Sequence, residues 1–115
     1  MNVPALASLA EFYNKRNDSH AYLAVSKRLF EIDELSLSEK VRIFRQLTLD
    51  VRFYRDNFFQ LNDLISTLAI RYPDDKDVVE LYAQHLINAG ELEQALTLYK
   101  LHLADRLPSW TITVR

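Results

Sequence analysis

The chain has 115 residues and a formal net charge of −2, with 49% hydrophobic and 26% charged residues, the size and composition of about one globular domain. The chain has only one glycine, which excludes the glycine-rich Rossmann and Walker loops and the nucleophile elbow. It has no cysteine, which excludes disulfides and zinc–thiolate sites. The near-balanced charge provides no basic field for nucleic acid, so a helical, soluble protein remains.

Two helices are predicted in the first third of the chain. Apolar residues recur at helical spacing over residues 4–16 and 19–33. Pro4 suits a first helical turn, because its missing N–H has no partner there in any case. The intervening Asn17-Asp18-Ser19 can end the first helix and cap the second. So short a joint predicts antiparallel neighbours.

Two more helices are predicted in the middle of the chain. Ser36 and Glu39 have the spacing of a capping box. The apolar stripe that follows consists of Val41, Phe44, Leu47 and Val51. Arg55-Asp56-Asn57 then interrupts the pattern, with Asp56 as the best N-cap of the next helix. That helix is expected to stop before Pro73.

A third pair of helices is predicted after Pro73-Asp74-Asp75, which caps the fifth helix. Gly90 follows that helix at the C′ position, where only glycine takes the left-handed conformation freely. The sixth helix is expected to end near Leu107-Pro108.

Together the predicted helices form three hairpins, at residues 4–33, 37–72 and 75–107. The exits of the last two hairpins, Tyr72 and Leu107, lie 35 residues apart, a spacing typical of stacked helical repeats. We therefore predict an all-α fold in which about six helices form tandem antiparallel hairpins of a short right-handed α-solenoid. A single domain is expected over residues 1–109, with residues 110–115 as a tail or the start of a further repeat.

Residues 78–99 carry the most specific motif in the chain. They contain the bulky-then-small pair Tyr82-Ala83, then Gly90, Ala95 and Tyr99. This segment resembles one tetratricopeptide repeat, in which small residues lie where the two helices cross and large residues fill the space between hairpins. The resemblance covers residues 4–107 as architecture, although the first hairpin has a turn about one residue short and Asn17 where the family has Gly. Residues 37–75 are similar to repeat regions of bacterial exported proteins.

The resemblance implies a non-catalytic protein–protein interaction scaffold that binds an unidentified peptide or protein. Its concave face would be lined by polar residues of the first helix of each hairpin. Carried over to this sequence, those residues are Glu11, Asn14 and Lys15 in the first hairpin and Asp77, Glu80, Gln84 and Asn88 in the third. Ala7 and Glu11 stand where the family's clamp for chaperone tails has Lys and Asn, which argues against binding of a C-terminal carboxylate.

The alternative is a structural or oligomerisation module that pairs with another copy through its C-terminal end. The sixth predicted helix has apolar residues on more than one side, including Leu101. Trp110 and Ile112 are expected to fold back over this end, to reach a second copy, or to begin a further repeat.

Catalysis and metal binding find little support in the sequence. The three histidines, His20, His85 and His102, lack the i, i+4 spacing of a His-Glu-x-x-His site and are interpreted as exposed or edge residues. Without an elbow or an oxyanion turn, we expect no enzymatic activity, and no cofactor or metal.

Two local clusters have a functional and a structural interpretation. The basic residues Lys40, Arg42, Arg45, Arg52 and Arg55 could bind an acidic peptide or phosphate, but solvated helix faces are the preferred interpretation. The aromatic residues Phe53, Tyr54, Phe58 and Phe59 are expected to be mostly core, with a partner-binding patch as the alternative.

The sequence also lacks membrane signals. No apolar run approaches the ~18–20 residues that span a bilayer, and residues 1–4 lack the charged start of a secretory signal. We expect a soluble chain, in the cytoplasm or, as part of an exported bacterial protein, in the periplasm.

Overall fold

The computed structural model describes residues 3–106, which form seven α-helices and one 3-10 turn. The helices are α1 (Val3–Lys15), α2 (Ser19–Glu31), α3 (Leu37–Leu49), α4 (Val51–Asp56), α5 (Phe58–Arg71), α6 (Lys76–Asn88) and α7 (Leu92–His102), and the 3-10 turn is Ala104–Arg106. No strand occurs within these residues, so the all-α fold class is confirmed. The right-handed solenoid stays a prediction.

The chain divides into two compact units, Met1–Leu68 and Ala69–Arg115. Two helix pairs have closely packed backbones, α1 with α2 in the first unit and α6 with α7 in the second. The remaining close pairs in the described chain are α3 with α4 and α7 with the 3-10 turn. The predicted domain boundary at residue 109 and the tail at 110–115 lie outside the described residues.

The α1–α2 hairpin is closed by hydrogen bonds that its own joint supplies. Asn17 has a φ of 57°, and the amides of Asn17 and Asp18 donate to the carbonyls of Asn14 (3.1 Å) and Tyr13 (3.0 Å). These two bonds form a Schellman motif with asparagine at the left-handed position. The Asp18 carboxylate then caps α2 by accepting from the Ala21 amide at 3.1 Å. The core of the hairpin consists of Leu6, Ala10, Val25 and Leu29.

The joint after α3 differs from the prediction. Ser36 caps α3 as expected, accepting from the Glu39 amide at 3.2 Å. The helical run breaks at Asp50, whose carboxylate accepts from the amides of Arg52 (3.0 Å) and Phe53 (3.2 Å). The predicted long turn is therefore the extra helix α4, which makes seven helices in the described chain rather than six.

Two residues of this region have roles other than those predicted. Asp56 is the last residue of α4, so its interpretation as the N-cap of the next helix is wrong. Val51 starts α4 and is exposed, so it does not continue the buried stripe of α3. The reason is local, since the Asp50 cap restarts the helix with a new phase.

The helices α2, α3 and α5 of the first unit are tied by polar side chains around an apolar interior. Lys40 is completely buried, and its Nζ donates to the Ile32 carbonyl at the end of α2 at 2.6 Å. Lys27 and Asp63 form an ion pair of 2.9 Å between α2 and α5. The buried residues of α5 are Leu61, Leu64, Ile65 and Leu68.

The α6–α7 hairpin repeats the joint of the first hairpin with glycine in place of asparagine. Gly90 has a φ of 83°, and the amides of Gly90 and Glu91 donate to Ile87 (3.0 Å) and Leu86 (2.8 Å). Asp75 caps α6 by accepting from the Val78 amide at 3.0 Å. The core of this hairpin consists of Val79, Ala83, Leu86, Ala95, Tyr99 and Leu103.

Both hairpin joints contain three residues, 16–18 and 89–91. The expectation that the first joint is about one residue short is therefore wrong. Asn17 and Gly90 occupy the same C′ position, because both asparagine and glycine tolerate left-handed backbone.

Candidate binding surface

The two hairpins share one register, offset by 73 residues, as Asn17 and Gly90 show. At this offset the small buried Ala10 corresponds to Ala83, and both lie in the core between two helices. Positions on the outer faces of α1 and α6 can therefore be compared directly.

On the first hairpin, the predicted partner-binding residues Glu11, Asn14 and Lys15 are all exposed. Glu11 and Lys15, four residues apart on α1, form an exposed ion pair of 3.1 Å. Such a pair contributes only about 0.3–0.5 kcal/mol, because water screens it. Glu11 and Lys15 can therefore break this ion pair and contact a partner at a small cost in free energy.

Asn14 also borders a cleft that the sequence did not reveal. The cleft has a volume of about 260 Å³ and lies within the first unit. Its lining residues are Asn14, Tyr22, Gln46, Leu47, Asp50 and Phe53. Burial raises the pKa of the Tyr22 phenol above its usual range, so the group stays protonated at neutral pH. The i, i+4, i+7 spacing of Gln46, Asp50 and Phe53 is no signal for this cleft, because it crosses the α3–α4 joint, where the helix restarts.

On α6, the register places Gln84 and Asn88 at the positions of Glu11 and Lys15. Gln84 Nε2 donates to Asn88 Oδ1 at 3.4 Å, so this hairpin also pairs the two positions within its own helix. We call residues 11, 14 and 15 of α1 and residues 77, 80, 84 and 88 of α6 the first-helix stripes.

The remaining two stripe residues, Asp77 and Glu80, face the guanidinium of Arg106. Arg106 Nη1 lies 3.2 Å from Asp77 Oδ1 and 3.8 Å from Glu80 Oε2. The hydrogen bond that Arg106 donates to the Asp77 carboxylate raises the pKa of Arg106 further above its usual value. This end of α6 is thus a mixed-charge surface instead of a purely acidic one.

Four residues of the repeat motif lie in or against the α6–α7 core, and the fifth, Gly90, lies in the joint between these helices. Ala83, Ala95 and Tyr99 are buried in the α6–α7 core, and Tyr82 packs against that core while partly exposed. Gly90 takes the left-handed backbone expected of it.

The basic segment does not form one continuous cationic patch. Lys40 is buried, and Arg42 forms an ion pair with Glu39 at 2.7 Å. That hydrogen bond lowers the pKa of the Glu39 carboxyl. Arg45, Arg52 and Arg55 are exposed. The interpretation as solvated helix faces holds for the arginines and is wrong for Lys40.

His20 and His102 are exposed as expected, whereas His85 and the aromatic residues depart from expectation. His85 is buried and not exposed, and burial lowers its pKa from the usual 6.5. None of Phe53, Tyr54, Phe58 and Phe59 is buried, and Phe59 is 89% exposed. The expectation that most of these four aromatics belong to the core is wrong. Phe58 lies between Tyr54 and Phe59, with ring centroids 5.8 and 6.3 Å away.

Within residues 3–106 no cluster of three or more His, Asp or Glu side chains has a geometry that could hold a metal ion. None of the helices described for this chain is both long and apolar enough to span a bilayer. No protein-family model, curated protein or solved structure matches the chain.

Proposed function

We propose that this chain is a non-catalytic binding module that contacts a peptide or protein through the first-helix stripes. The observation that carries the proposal is the shared register, since both hairpins present exposed polar pairs at equivalent positions of their first helices. Residues facing the second helix are apolar and buried in both hairpins, whereas Glu11, Asn14, Lys15, Gln84 and Asn88 of the stripes are exposed.

The energetics of the stripes favour exchange with a partner. Glu11 pairs with Lys15, and Gln84 with Asn88, within single helical turns in solvent, where each pair stabilises the helix by a few tenths of a kcal/mol. Asp77 and Glu80 pair instead with Arg106. A partner that supplies a better-aligned donor or acceptor replaces these contacts without exposing a buried group.

The cleft beside Asn14 supports the same role in the first unit. It combines the side-chain amides of Asn14 and Gln46 with the rings of Tyr22 and Phe53. Apolar walls with a few polar groups are typical of sites that hold a side chain of a partner. The cleft is small, so it would hold one side chain rather than a folded domain.

Site-specific photo-crosslinking tests the proposal in cells that naturally express the chain. A photoreactive amino acid replaces Asn14 or Gln84 on the stripes, and Ala24 or Thr97, which are exposed on the second helices, in the control variants. We expect the same partner to crosslink from both stripe positions and not from the controls. Equal crosslinking from all four positions, or none from the stripes, would contradict the proposal.

A structural role through self-association is the second candidate. Leu101 on α7 is 72% exposed, so its apolar side chain is accessible to a second copy. Trp110 and Ile112, which were also expected at this end, lie outside the described residues. Light scattering of the chain and of Leu101→Glu tests this candidate, which requires a concentration-dependent mass that the variant loses.

A further inference from the structure

The joint between α3 and α4 carries an exposed apolar pair flanked by arginines. Leu49 and Val51 are 75% and 77% exposed. Arg45 precedes Leu49 by four residues on α3, and Arg55 follows Val51 by four residues on α4. Side chains four residues apart share a helix face, so each arginine lies beside one of the apolar side chains. We call these four residues the joint patch.

The arginines of the joint patch are available for an external contact. Arg45 has no ion pair with any residue in the described part of the chain, and the guanidinium of Arg55 lies 3.9 Å from Asp56 in an exposed pair. Asp50, the acid between Leu49 and Val51, is used as the N-cap of α4 and borders the cleft. An apolar centre with an arginine rim is a typical composition of protein interfaces.

The same chain carries a segment of complementary chemistry at the start of α7. Glu91-Leu92-Glu93 places an apolar side chain, 53% exposed, between two exposed carboxylates. The Glu91 carboxylate receives one long side-chain hydrogen bond, from Gln94 at 3.5 Å. Leu92 is thus an exposed apolar residue flanked along the chain by two carboxylates, a composition complementary to Leu49 and Val51 with their arginines.

We propose that the joint patch of one copy binds Glu91-Leu92-Glu93 of a second copy. Leu49 and Val51 of one copy and Leu92 of the other would exclude water at the centre of the contact. The two arginines of the joint patch would pair with the two glutamates of the segment around that centre. Because the two surfaces differ, the contact builds a two-fold dimer when both contacts form reciprocally between the same two copies, and larger rings or open chains when they do not. Its small size and exposed charges make the association weak and sensitive to salt. This inference is independent of the role proposed for the first-helix stripes.

Charge reversal with rescue tests the inference by sedimentation velocity over a range of protein and salt concentrations. One variant carries Arg45→Glu and Arg55→Glu, and a second carries Glu91→Lys and Glu93→Lys. Each changes exposed residues only, and circular dichroism verifies that each is folded. We expect the parent chain to associate at low salt and each variant to require about tenfold more protein for the same associated fraction.

Mixing the two variants provides the decisive result. In the mixture each reversed patch meets an oppositely charged partner, so association should return, as it should in a single chain carrying all four changes. Arg28→Glu and Lys100→Glu reverse exposed charges elsewhere and should associate like the parent.

Three outcomes would overturn the inference. They are a parent chain that is monomeric at low salt and high concentration, a reversed variant that associates like the parent, and a mixture that fails to restore association. Leu101→Glu separates this contact from association through the C-terminal end. If Leu101→Glu abolishes association while the charge-reversed variants associate like the parent, the joint patch is not the interface.

Discussion

Asn17 and Gly90 perform the same task at the level of a single residue, because each ends a helix with a positive φ. An L-residue in the left-handed region costs roughly 1–2 kcal/mol, and asparagine offsets part of this by local hydrogen bonding. The sequence predicted the glycine from its position and treated the asparagine as a departure, whereas the backbone uses both alike.

Gly90→Val should lower the free energy of unfolding by about 1–2 kcal/mol, measured by chemical denaturation. A Cβ added at Gly90 would meet no atom within 4 Å, so the loss is expected to come from the positive φ and not from a clash of that atom. Gly90→Asn, which copies the first hairpin, should lose clearly less. If the valine variant is as stable as the parent, this explanation of the turn is wrong.

Lys40 shows that a charged residue can act as part of the core. Lys40→Met keeps the length of the side chain but removes the 2.6 Å hydrogen bond to the Ile32 carbonyl. We expect a loss of about 1–3 kcal/mol of stability, because the partly buried Ile32 carbonyl loses the donor that Lys40 supplies. Arg45→Met, at an exposed position of the same helix, should change stability by no more than about 0.5 kcal/mol. Equal thermal stability of the two variants would contradict the role of Lys40.

At the scale of helices, the position of the α3–α4 joint depends on which aspartate caps the N-terminus of a helix. Asp50 accepts two backbone amides, while Asp56 is the last residue of α4 and its carboxylate has an ion-pair contact with Arg55 at 3.9 Å. Asp50→Ala should therefore cost about 1 kcal/mol in urea unfolding. Asp56→Ala should be close to neutral. The opposite order would restore the helix boundary that the sequence suggested.

The α6–α7 pair depends on small residues in its core. Ala83 and Ala95 have no exposed surface and belong to the same buried cluster. Leucine at either position should overpack that cluster and cost roughly 1–3 kcal/mol. Ala24→Leu, at an exposed position of α2, is the control and should change little. Thermal melting distinguishes these cases, and unchanged melting of both core variants would contradict the close packing.

At the scale of the whole molecule, burial of His85 links stability to pH. Its pKa is lowered in the folded protein, so the unfolded chain binds a proton more readily. Stability from this group is complete above the usual pKa of 6.5 and declines as pH falls from there towards the folded pKa. The lowered carboxyl pKa values of Glu39 and Asp105 affect a more acidic range, since their usual values are 4.5 and 3.8.

The parent chain should therefore have a nearly constant melting temperature from about pH 7.5 to about 6.5 and a falling one from there to about pH 5. His85→Gln should reduce this slope whatever its effect on absolute stability. His20→Gln, at an exposed position, should keep the slope of the parent. A parent whose melting temperature is constant over this range would contradict the coupling.

Local signals in the sequence predicted the helical class, the positions of the first and last hairpin joints and the caps at Ser36 and Asp75. Each of these features is decided by side chains and amides within about four residues of one another, so the sequence contains the whole interaction. The position of Gly90 and the small residues Ala83 and Ala95 belong to the same group.

Tertiary structure alone decided the burial of Lys40 and His85, the exposure of Phe59 and the cleft beside Asn14. These outcomes depend on which distant helix covers a given face, and periodicity identifies a face without identifying its neighbour. A lysine beside the carbonyl end of a packed helix is buried because that carbonyl needs a donor, whereas a phenylalanine with no helix over it remains in water.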